Sequence, residues 1–555
     1  MILIKKIQCC ICLLVVAGST AQEAPFFLGR LLDRNTGEPV VFATIRIQGQ
    51  NRGVISNEDG SFRVPFEVMT PETVLEVSSM GYVSQLIQVS EYPKGMRHDF
   101  YMDPGVWQLD EAVAASYQKR SLGPRAIVRR AIRAIPANFP VEAFSLTGYY
   151  RDYQKDPGEY VNLNEAILEV YDAGFQAIDS SSTRARIYQL QQNGKFKRDS
   201  LAGLPYDYDT QRKIIYNAYL PGYGGNEFSL LRVHDPIRNH GINAFDFINK
   251  LDRDLLAHHS FEFGPMAYLD GEPLYKIHFN RKRSTYHATG TMYVSPRDFA
   301  IQRLDYAIYR TEEDPRPWVR GPNPRAGKQI FGLSVEYRRN AGKMYLNYIS
   351  FQNNFTLRIP PEFRLLETAI DYRCLCMSVQ FSGASDSISA MNADYKMRYR
   401  GKRIPIKEVI HQDKQIWVVP DLEVYKVRDM FNTVRSYVDR GMDLGETKNP
   451  FRFEVNGVRD RKGNLMNEWK EREFLQFREF FVQEVKPAAP LPEDGIYMEA
   501  TQPVFLQEPA DEVPNGAPFW MNPPLREEPD LLGVPATGSG DPSAPLPGSI
   551  YAPGR

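Results

Sequence analysis

Residues 26–62 read FFLGRLLDRNTGEPVVFATIRIQGQNRGVISNEDGSF, and this stretch decides the fold of the N-terminal part of the chain. Short runs of leucine, aromatic and β-branched residues alternate in it with turns rich in glycine, asparagine and aspartate. The alternation continues to residue 102 and gives six candidate strands: Phe26–Leu32, Phe42–Ile47, Ser61–Val64, Val74–Ser78, Val83–Val89 and Arg97–Met102. Regular spacing of this kind is typical of antiparallel β-structure. The sequence therefore predicts a small antiparallel β-sandwich over residues 26–103.

The turn residues of this segment follow a specific pattern. The pattern is Gly29-x-x-x-Asp33-x-x-Thr36-Gly37-Glu38-Pro39-Val40, then Gly53-x-x-x-Asn57-x-Asp59-Gly60-x-Phe62, then Leu75-x-Val77-x-x-x-Gly81-Tyr82. On these residues the segment resembles the carboxypeptidase D regulatory-like domain. The resemblance implies a transthyretin-like accessory sandwich without catalytic residues. Calcium bound by Asn57–Gly60 is the competing interpretation, but four residues supply too few of the six to eight oxygen ligands that calcium takes.

The first 21 residues, MILIKKIQCCICLLVVAGSTA, have the three parts of a secretory signal peptide. Lys5 and Lys6 precede the apolar run Ile7–Ala17, and small residues stand at both cleavage-determining positions before Gln22. An apolar run of 11 residues is too short to span about 30 Å of hydrocarbon, so cleavage is favoured over an uncleaved anchor. We predict a signal peptide at residues 1–21 and export to the periplasm, the outer membrane or the cell surface.

Three of the five cysteines, Cys9, Cys10 and Cys12, lie in the predicted signal peptide. The residues before Cys12 do not match a lipidation signal, so no lipid anchor is predicted. The mature chain keeps Cys374 and Cys376, which lie on one face of a strand-like run. At that spacing their Cα atoms are close to the upper limit for an unstrained disulfide. The sequence leaves open whether they form a disulfide or remain two buried thiols.

Composition argues against two classes of protein. The 67 basic and 68 acidic side chains balance, so no net field attracts a nucleic acid. The mean hydropathy is -0.42, and no apolar run reaches the length that a membrane-spanning helix requires. With 43% hydrophobic residues, the chain has enough apolar side chains to build globular domains with a core.

Residues 104–140 are predicted to be a linker followed by an amphipathic helix with an arginine face. The apolar residues at 127, 131 and 135 recur at four-residue steps after Pro124, which is the helical spacing. The arginine face either meets an anionic lipid or the acidic tail, or is simply a solvated helix face. The preceding run Leu109–Val113 resembles the link that follows such a sandwich in envelope proteins of TonB-linked systems.

Residues 141–400 are predicted to form a large antiparallel β-sheet body with one covering helix at Asn243–His258. Turn residues separate nine candidate strands: Tyr160–Tyr171, Ala185–Gln191, Phe261–Tyr268, Leu274–Phe279, Ala288–Val294, Ile301–Ile308, Phe331–Arg338, Met344–Phe351 and Leu365–Phe381. The run Gly290–Ile301 resembles the hairpins of curved-sheet lipoprotein carriers of the periplasm. That resemblance implies an open half-barrel that shelters an apolar ligand.

Residues 401–486 are predicted to be a helical C-terminal segment. One apolar stripe at helical spacing supports a helix there: Val424, Val427, Phe431, Val434 and Val438. Aromatic residues then crowd Glu468–Glu484, which is assigned to a second helix. Residues 487–555 hold fifteen prolines, ten acids and two arginines in 69 residues, so they are predicted to be a disordered, proline-rich acidic tail.

The sequence contains no local motif for catalysis. There is no serine elbow, phosphate loop or dinucleotide fingerprint. The close histidine pairs, His234 with His240 and His258 with His259, lack the spacing and the glutamate of a zinc hydrolase, so structural roles are predicted for them. Catalytic residues therefore stay unknown, and neither a cofactor nor a metal is predicted.

These observations favour a mainly β, non-catalytic, exported cell-envelope protein with an accessory sandwich. Its β-rich body is expected to bind an envelope protein, a glycan or an apolar ligand, with peripheral outer-membrane association and an undetermined oligomeric state. One alternative is a hydrolase of envelope polymers that uses Glu165, Glu169 and Asp172, because Glu165 and Glu169 share one face of a strand. The other is an outer-membrane β-barrel component of a TonB-linked system.

Overall fold

The structure, a computed structural model, describes most of the chain between residues 26 and 525. The described ranges are 26–50, 52–105, 122–156, 159–177, 183–207, 210, 212–215, 224–238, 255–284, 286–311, 327–442, 449–510 and 519–525. The predicted signal peptide lies outside these ranges. Most of the predicted linker and of the helix predicted at Asn243–His258 also lies outside them.

β-Strands dominate the described residues, as the sequence predicts. In chain order the strands are β1 Phe26–Asp33, β2 Thr44–Ile47, β3 Gly53–Ile55, β4 Ser61–Pro65, β5 Val74–Ser78, β6 Gln85–Gln88, β7 Arg97–Met102, β8 Phe144–Asp156, β9 Glu159–Asp172, β10 Arg184–Gln192, β11 Lys213–Ile215, β12 Ser260–Phe263, β13 Ala267–Leu269, β14 Glu272–Lys282, β15 Tyr286–Val294, β16 Ile301–Arg310, β17 Gln329–Asn340, β18 Lys343–Ile359, β19 Leu365–Asp371, β20 Cys376–Phe381, β21 Asp394–Tyr399, β22 Lys402–Ile404, β23 Ile406–Gln412, β24 Gln415–Pro420, β25 Phe451–Asn456 and β26 Lys470–Lys486.

The described α-helices are few and mostly short. They are α1 Pro124–Asn138, α2 Glu227–Arg232, α3 Leu256–His258, α4 Ser387–Met391 and α5 Val424–Val438. Helix α1 is the predicted arginine-faced helix, and Pro124 occupies its first turn, where a missing N–H costs no hydrogen bond. Every described helix is too short or too polar to cross a lipid bilayer.

The chain divides into two compact units. The first unit consists of the described parts of Met1–Pro205, Asn217–Asn354 and Leu475–Arg555. The second unit consists of those of Tyr206–Tyr216 and Phe355–Phe474.

The N-terminal sandwich of the first unit has the predicted architecture. Its two sheets have the strand orders β4-β1-β7 and β3-β2-β5-β6. Their strand pairs are antiparallel except β1 with β7, which is parallel. The turn at residues 57–60 requires its glycine: Gly60 has φ +78°, and a Cβ there would lie 2.3 Å from the Leu31 carbonyl oxygen.

A large antiparallel sheet follows, with the order β10-β9-β8-β26-β18-β17-β16-β15-β14-β12. Its central strands are buried on both faces; β8, for example, is buried along its first eleven residues. On one face the Phe42 ring of the sandwich lies 5.5 Å from the Tyr348 ring. On the other face Phe228 of α2 lies 5.3 Å from Phe480. The sandwich and α2 therefore cover opposite faces of the sheet.

Strand β26 corrects the prediction of a helix at Glu468–Glu484. It pairs with β8 along eleven residues and lies between β8 and β18 in the sheet. Aromatic residues suit strands. A strand that is buried on both faces lacks the polar and apolar alternation that distinguishes a strand from a buried helix in sequence.

The second unit is also mainly β. Its sheets have the orders β19-β20-β24-β23 and β22-β21-β25, and α5 buries Val427, Met430, Phe431 and Val434 in the core of the unit. Val424 and Val438, at the ends of the predicted stripe, are exposed. Among the described residues of 401–486, α5 is the only α-helix, so the predicted helical segment is wrong apart from α5.

Two parts of the predicted tail are packed against the first unit. The Met498 N–H donates to the Ala185 carbonyl at 2.7 Å, and the Ala510 N–H donates to the Ile187 carbonyl at 2.7 Å, so residues 487–510 cover the edge strand β10. Farther along, Trp520 is buried in the core of the N-terminal sandwich. The predicted mobility therefore does not hold for residues 487–510, which bond to the edge strand β10, or for residues 519–525, whose Trp520 is buried in the sandwich.

Candidate functional site

Glu165 and Glu169, proposed from sequence as an acid pair, lie on β9 and are both buried. The Glu165 carboxylate accepts hydrogen bonds from the Tyr149 hydroxyl at 2.6 Å and from Asn193 Nδ2 at 2.7 Å. Both of its oxygens therefore hold a protein donor. Glu165 ties β9 to β8 and to the turn after β10.

Glu169 accepts hydrogen bonds from three hydroxyls, those of Ser145 at 2.8 Å, Tyr171 at 2.7 Å and Tyr188. Burial alone would raise the pKa of the Glu169 carboxyl, but the hydrogen bonds from Tyr188, Tyr171 and Ser145 lower it overall. The Lys486 ammonium lies 3.6 Å away and acts in the same direction. Glu169 is therefore held as a carboxylate, which suits a structural acceptor better than a general acid.

Asp172, the third predicted acid, binds two arginines and a backbone amide. Its carboxylate lies 2.6 Å from Arg232 Nη2, pairs with Arg238, and accepts from the Gly174 N–H at 2.8 Å. The structure thus places each of the three acids in its own hydrogen-bonded cluster. The donors of all three join neighbouring segments to β9.

A buried arginine that the sequence did not single out connects the sandwich to the large sheet. Arg151 of β8 has no exposed side-chain surface, and its Nε donates to the Glu479 carboxylate of β26. Its Nη1 donates to Asn57 Oδ1 in the sandwich and to the Asn522 carbonyl at 3.2 Å. Burial raises the pKa of the Glu479 carboxyl, and Arg151 opposes this rise. One guanidinium therefore joins two strands, the sandwich turn and the C-terminal segment 519–525.

Another buried acid, Asp152, follows Arg151 on β8 and points to the opposite face of the sheet. Burial and the nearby Glu227 raise the pKa of the Asp152 carboxyl to about 7. It accepts from the Tyr150 hydroxyl at 2.9 Å and from Asn164 Nδ2 at 2.8 Å. A raised pKa is a common property of functional acids. Asp152 lines neither of two open clefts of the described residues, one beside α5 and one at the end of β14.

Three of the four histidines in the two close pairs lie in the described residues: His234 and His259 are buried, whereas His258 lines an open cleft. His234 stacks on Phe351 at 3.9 Å and its Nδ1 lies 2.6 Å from the Leu230 carbonyl. His259 Nε2 lies 3.1 Å from the Tyr306 hydroxyl. His240 lies outside the described residues. Within the described ranges, no group of three or more potential ligands is arranged to hold a metal ion.

An open, basic cleft of about 460 Å³ lies at the end of β14 in the first unit. Its lining residues are Ala257, His258, Ser260, Asn280, Arg281, Lys282 and Arg283. Helix α1 adjoins the cleft, because Arg125 donates to the carbonyl of Leu256, which precedes Ala257. The exposed arginines of α1 are Arg125, Arg129, Arg130 and Arg133. We call these four arginines together with His258, Arg281, Lys282 and Arg283 the basic surface.

The comparisons with known proteins identify one part of the chain. Residues 27–113 match the CarboxypepD_reg-like domain. This match confirms the regulatory-like sandwich that the turn pattern predicts, and it extends about ten residues beyond the predicted end. No match to this chain was found among curated proteins.

Two solved structures are similar to part of the chain. One is a DUF1329 family protein from Desulfovibrio piger, with 10% identity, 41% of this chain and 86% of that chain covered, and a TM-score of 0.21. The other is a LolA superfamily protein from Nitrosomonas europaea, with 12% identity, 42% and 86% covered, and a TM-score of 0.18. TM-scores of this size do not establish a common fold, so the proposals below depend on the geometry of this chain.

Proposed function

We propose that this chain is an exported, non-catalytic cell-envelope protein that binds an anionic partner through the basic surface. The observation that carries the proposal is the junction of the arginine face of α1 with the cleft at the end of β14. The regulatory-like sandwich is then an accessory domain that covers the face of the large sheet opposite to α2. The signal peptide predicted at residues 1–21 supports the placement in the envelope.

Charge makes the basic surface attractive to anions. The residues that line the cleft include four basic side chains and no carboxylate. Lys282 and Arg283 are exposed at the turn between β14 and β15, and neither forms an ion pair within the described part of the chain. The chain as a whole is nearly neutral, so the positive potential is local to this surface.

Shape and chemistry define the kind of anion. An open cleft of about 460 Å³ has the volume of a small-molecule site, but its polar lining suits a charged group better than an apolar ligand. Guanidinium groups bind phosphate and carboxylate groups through paired hydrogen bonds. Several arginines spaced along a helix and a turn suit a repeating anion, as in an acidic glycan or a layer of anionic lipid headgroups. An apolar ligand stays a prediction, as do the hydrolase and outer-membrane alternatives.

The test is a binding assay with the mature chain that begins at Gln22. The probes are fluorescent polygalacturonate, an acidic glycan, and vesicles of phosphatidylcholine with and without phosphatidylglycerol. We expect binding to one or both anionic probes, no binding to neutral vesicles, and weaker binding as salt rises, because exposed charges are screened over about 10 Å at 0.1 M salt.

Charge reversal locates the site. Lys282→Glu combined with Arg283→Glu should weaken binding at least tenfold. Lys402→Glu combined with Arg403→Glu is the matched control, because these residues are an adjacent, exposed Lys-Arg pair on β22. Equal loss of binding in the two double variants would show a general effect of net charge. That outcome, or no binding by the unmodified chain, contradicts the proposal.

A further inference from the structure

Cys374 and Cys376 form a disulfide in the turn between β19 and β20 of the second unit. Asp371 pairs with Cys376 at the end of the strand ladder, so the bridge closes the tip of the hairpin. The other three cysteines of the chain lie in the predicted signal peptide. A mature exported chain therefore carries this cysteine pair and no other.

The two cysteines differ in their access to solvent. Cys374 is exposed, whereas Cys376 is fully buried. Thiol–disulfide exchange begins when a thiolate attacks one sulfur, and the other sulfur leaves. An incoming thiolate can reach Cys374 but not Cys376. The geometry therefore fixes Cys374 as the attacked sulfur and Cys376 as the leaving one.

The bridge is poorly suited to a purely stabilising role. A disulfide stabilises a fold mainly by restricting the unfolded chain, and that effect grows with the length of the closed loop. Here the bonded cysteines are two residues apart, so the effect is close to its minimum. The second unit also has a large hydrophobic core of its own.

The residue between the cysteines holds an unfavourable backbone conformation. Leu375 has φ +54°, in the left-handed region that opposes a bulky side chain. Its side chain is partly buried against the core of the second unit, which holds the turn in place. Opening the disulfide releases one of the constraints on this conformation, so reduction is favoured relative to an unstrained bridge.

We propose that Cys374–Cys376 is a redox-active disulfide that oxidises dithiols of other exported polypeptides. We call the polypeptide that is oxidised the client. A thiolate of the client attacks Cys374 Sγ, the Cys374–Cys376 bond breaks, and Cys376 leaves as a thiolate. The second client thiolate then attacks the client sulfur of the mixed disulfide, which forms the client disulfide and releases Cys374. Two electrons and two protons pass from the client dithiol to the cysteine pair. A low-molecular-weight disulfide of the same compartment, such as oxidised glutathione, restores the pair for a further cycle.

The first experiment measures the redox equilibrium of the full mature chain. The chain is held in buffers of reduced and oxidised glutathione, free thiols are alkylated, and mass spectrometry gives the reduced fraction at Cys374 and Cys376. We expect reduction in buffers that leave native ribonuclease A oxidised. Leu375→Gly relieves the left-handed strain, so its equilibrium constant for reduction should fall about fivefold or more. A pair that stays oxidised like ribonuclease A, or a Leu375→Gly variant that is reduced as readily as the unmodified chain, overturns the proposal.

The second experiment separates the two sulfurs. Cys376→Ser leaves Cys374 as a free thiol, and Cys374→Ser leaves Cys376. Each variant is mixed with a peptide whose cysteine carries thionitrobenzoate, and release of the chromophore is followed. Cys376→Ser should form the mixed disulfide at least tenfold faster. Circular dichroism of both variants checks that they are folded, and equal rates in two folded variants contradict the assigned roles.

Discussion

Replacement of Trp520 by alanine tests whether the C-terminal segment completes the N-terminal sandwich. Trp520 is 5% exposed and packs in the core of the sandwich. Its indole N–H donates to the Arg63 carbonyl at 2.9 Å, and its own carbonyl accepts from Gln483 Nε2 at 2.8 Å. The residue thus links β4 of the sandwich to β26 of the large sheet.

The expected cost follows from these contacts. Truncation of a buried tryptophan to alanine costs about 3–5 kcal/mol, because it removes apolar contacts and leaves a cavity. Loss of the indole donor leaves the Arg63 carbonyl without that partner, which costs about 1 kcal/mol more. The free energy of unfolding of a typical domain is about 5–15 kcal/mol. Trp520→Ala should therefore remove a large part of the stability of the first unit.

The assay is urea unfolding followed by far-UV circular dichroism, together with hydrogen exchange. The matched control is Leu506→Ala, because Leu506 is 75% exposed on the other packed C-terminal segment and should change stability by less than about 0.5 kcal/mol. In Trp520→Ala the Arg63 amide, which donates to Asn522 Oδ1, should also exchange faster. Unfolding of both variants at the same urea concentration would refute the assignment of Trp520 to the core.

Three further predictions concern the interior and the disulfide. Arg151→Ala should cost about 3–5 kcal/mol in urea unfolding because it leaves Glu479 buried and unpaired, and Arg151→Met combined with Glu479→Leu should restore most of that loss. The pKa of Asp152 is raised to about 7 from 3.8, so the stability that this one site contributes is greatest below about pH 4 and is lost as the pH rises through the folded-state pKa. The unmodified chain should thus lose about 2–3 kcal/mol between pH 5 and pH 8 at this site, and Asp152→Asn should show a flatter profile in unfolding measured at both pH values. Replacement of both Cys374 and Cys376 by serine should lower the unfolding free energy by no more than about 1.5 kcal/mol; a larger loss would indicate a structural bridge.

The sandwich could be predicted from sequence because local chemistry determines it. Each turn, such as residues 57–60, is marked in the sequence by glycine together with asparagine or aspartate. Each short strand lies between two such turns. Helix α1 was predictable for the same reason, since its periodicity and its first-turn proline are adjacent in the chain. The large sheet was predictable as a class, because its hairpins also join neighbouring strands.

The position of β26 could not be predicted from local signals. The strand pairs with β8, more than 300 residues earlier, as in the bond between Gln154 and Gln476. Its polar residues Gln476, Arg478 and Glu479 are all buried, so they do not mark a solvent face. The sequence of β26 therefore lacks the alternation of polar and apolar residues by which a strand is predicted.

The candidate site was predicted in part. The arginine face of α1 was visible in the sequence, but the cleft residues Lys282 and Arg283 lie about 150 residues later, and only the fold brings the helix to the border of that cleft. Glu165 and Glu169 were correctly placed on one strand. The sequence did not indicate the hydroxyl groups, such as that of Tyr149, that donate hydrogen bonds to their carboxylates.

Residues from the C-terminal segment 519–525 form part of the N-terminal sandwich. Asn522 Nδ2 donates to the Ile55 carbonyl at 2.8 Å, and its Oδ1 accepts from the Arg63 N–H at 2.9 Å, so this side chain bridges the two sheets of the sandwich. An exported chain that emerges N-terminus first holds residues 26–102 long before it holds Trp520 or Asn522. The sandwich therefore gains Trp520 in its core, and the indole bond to the Arg63 carbonyl, only after the C-terminal segment has emerged. Because Trp520 joins the sandwich to β26, we expect the sandwich and the large sheet to unfold together.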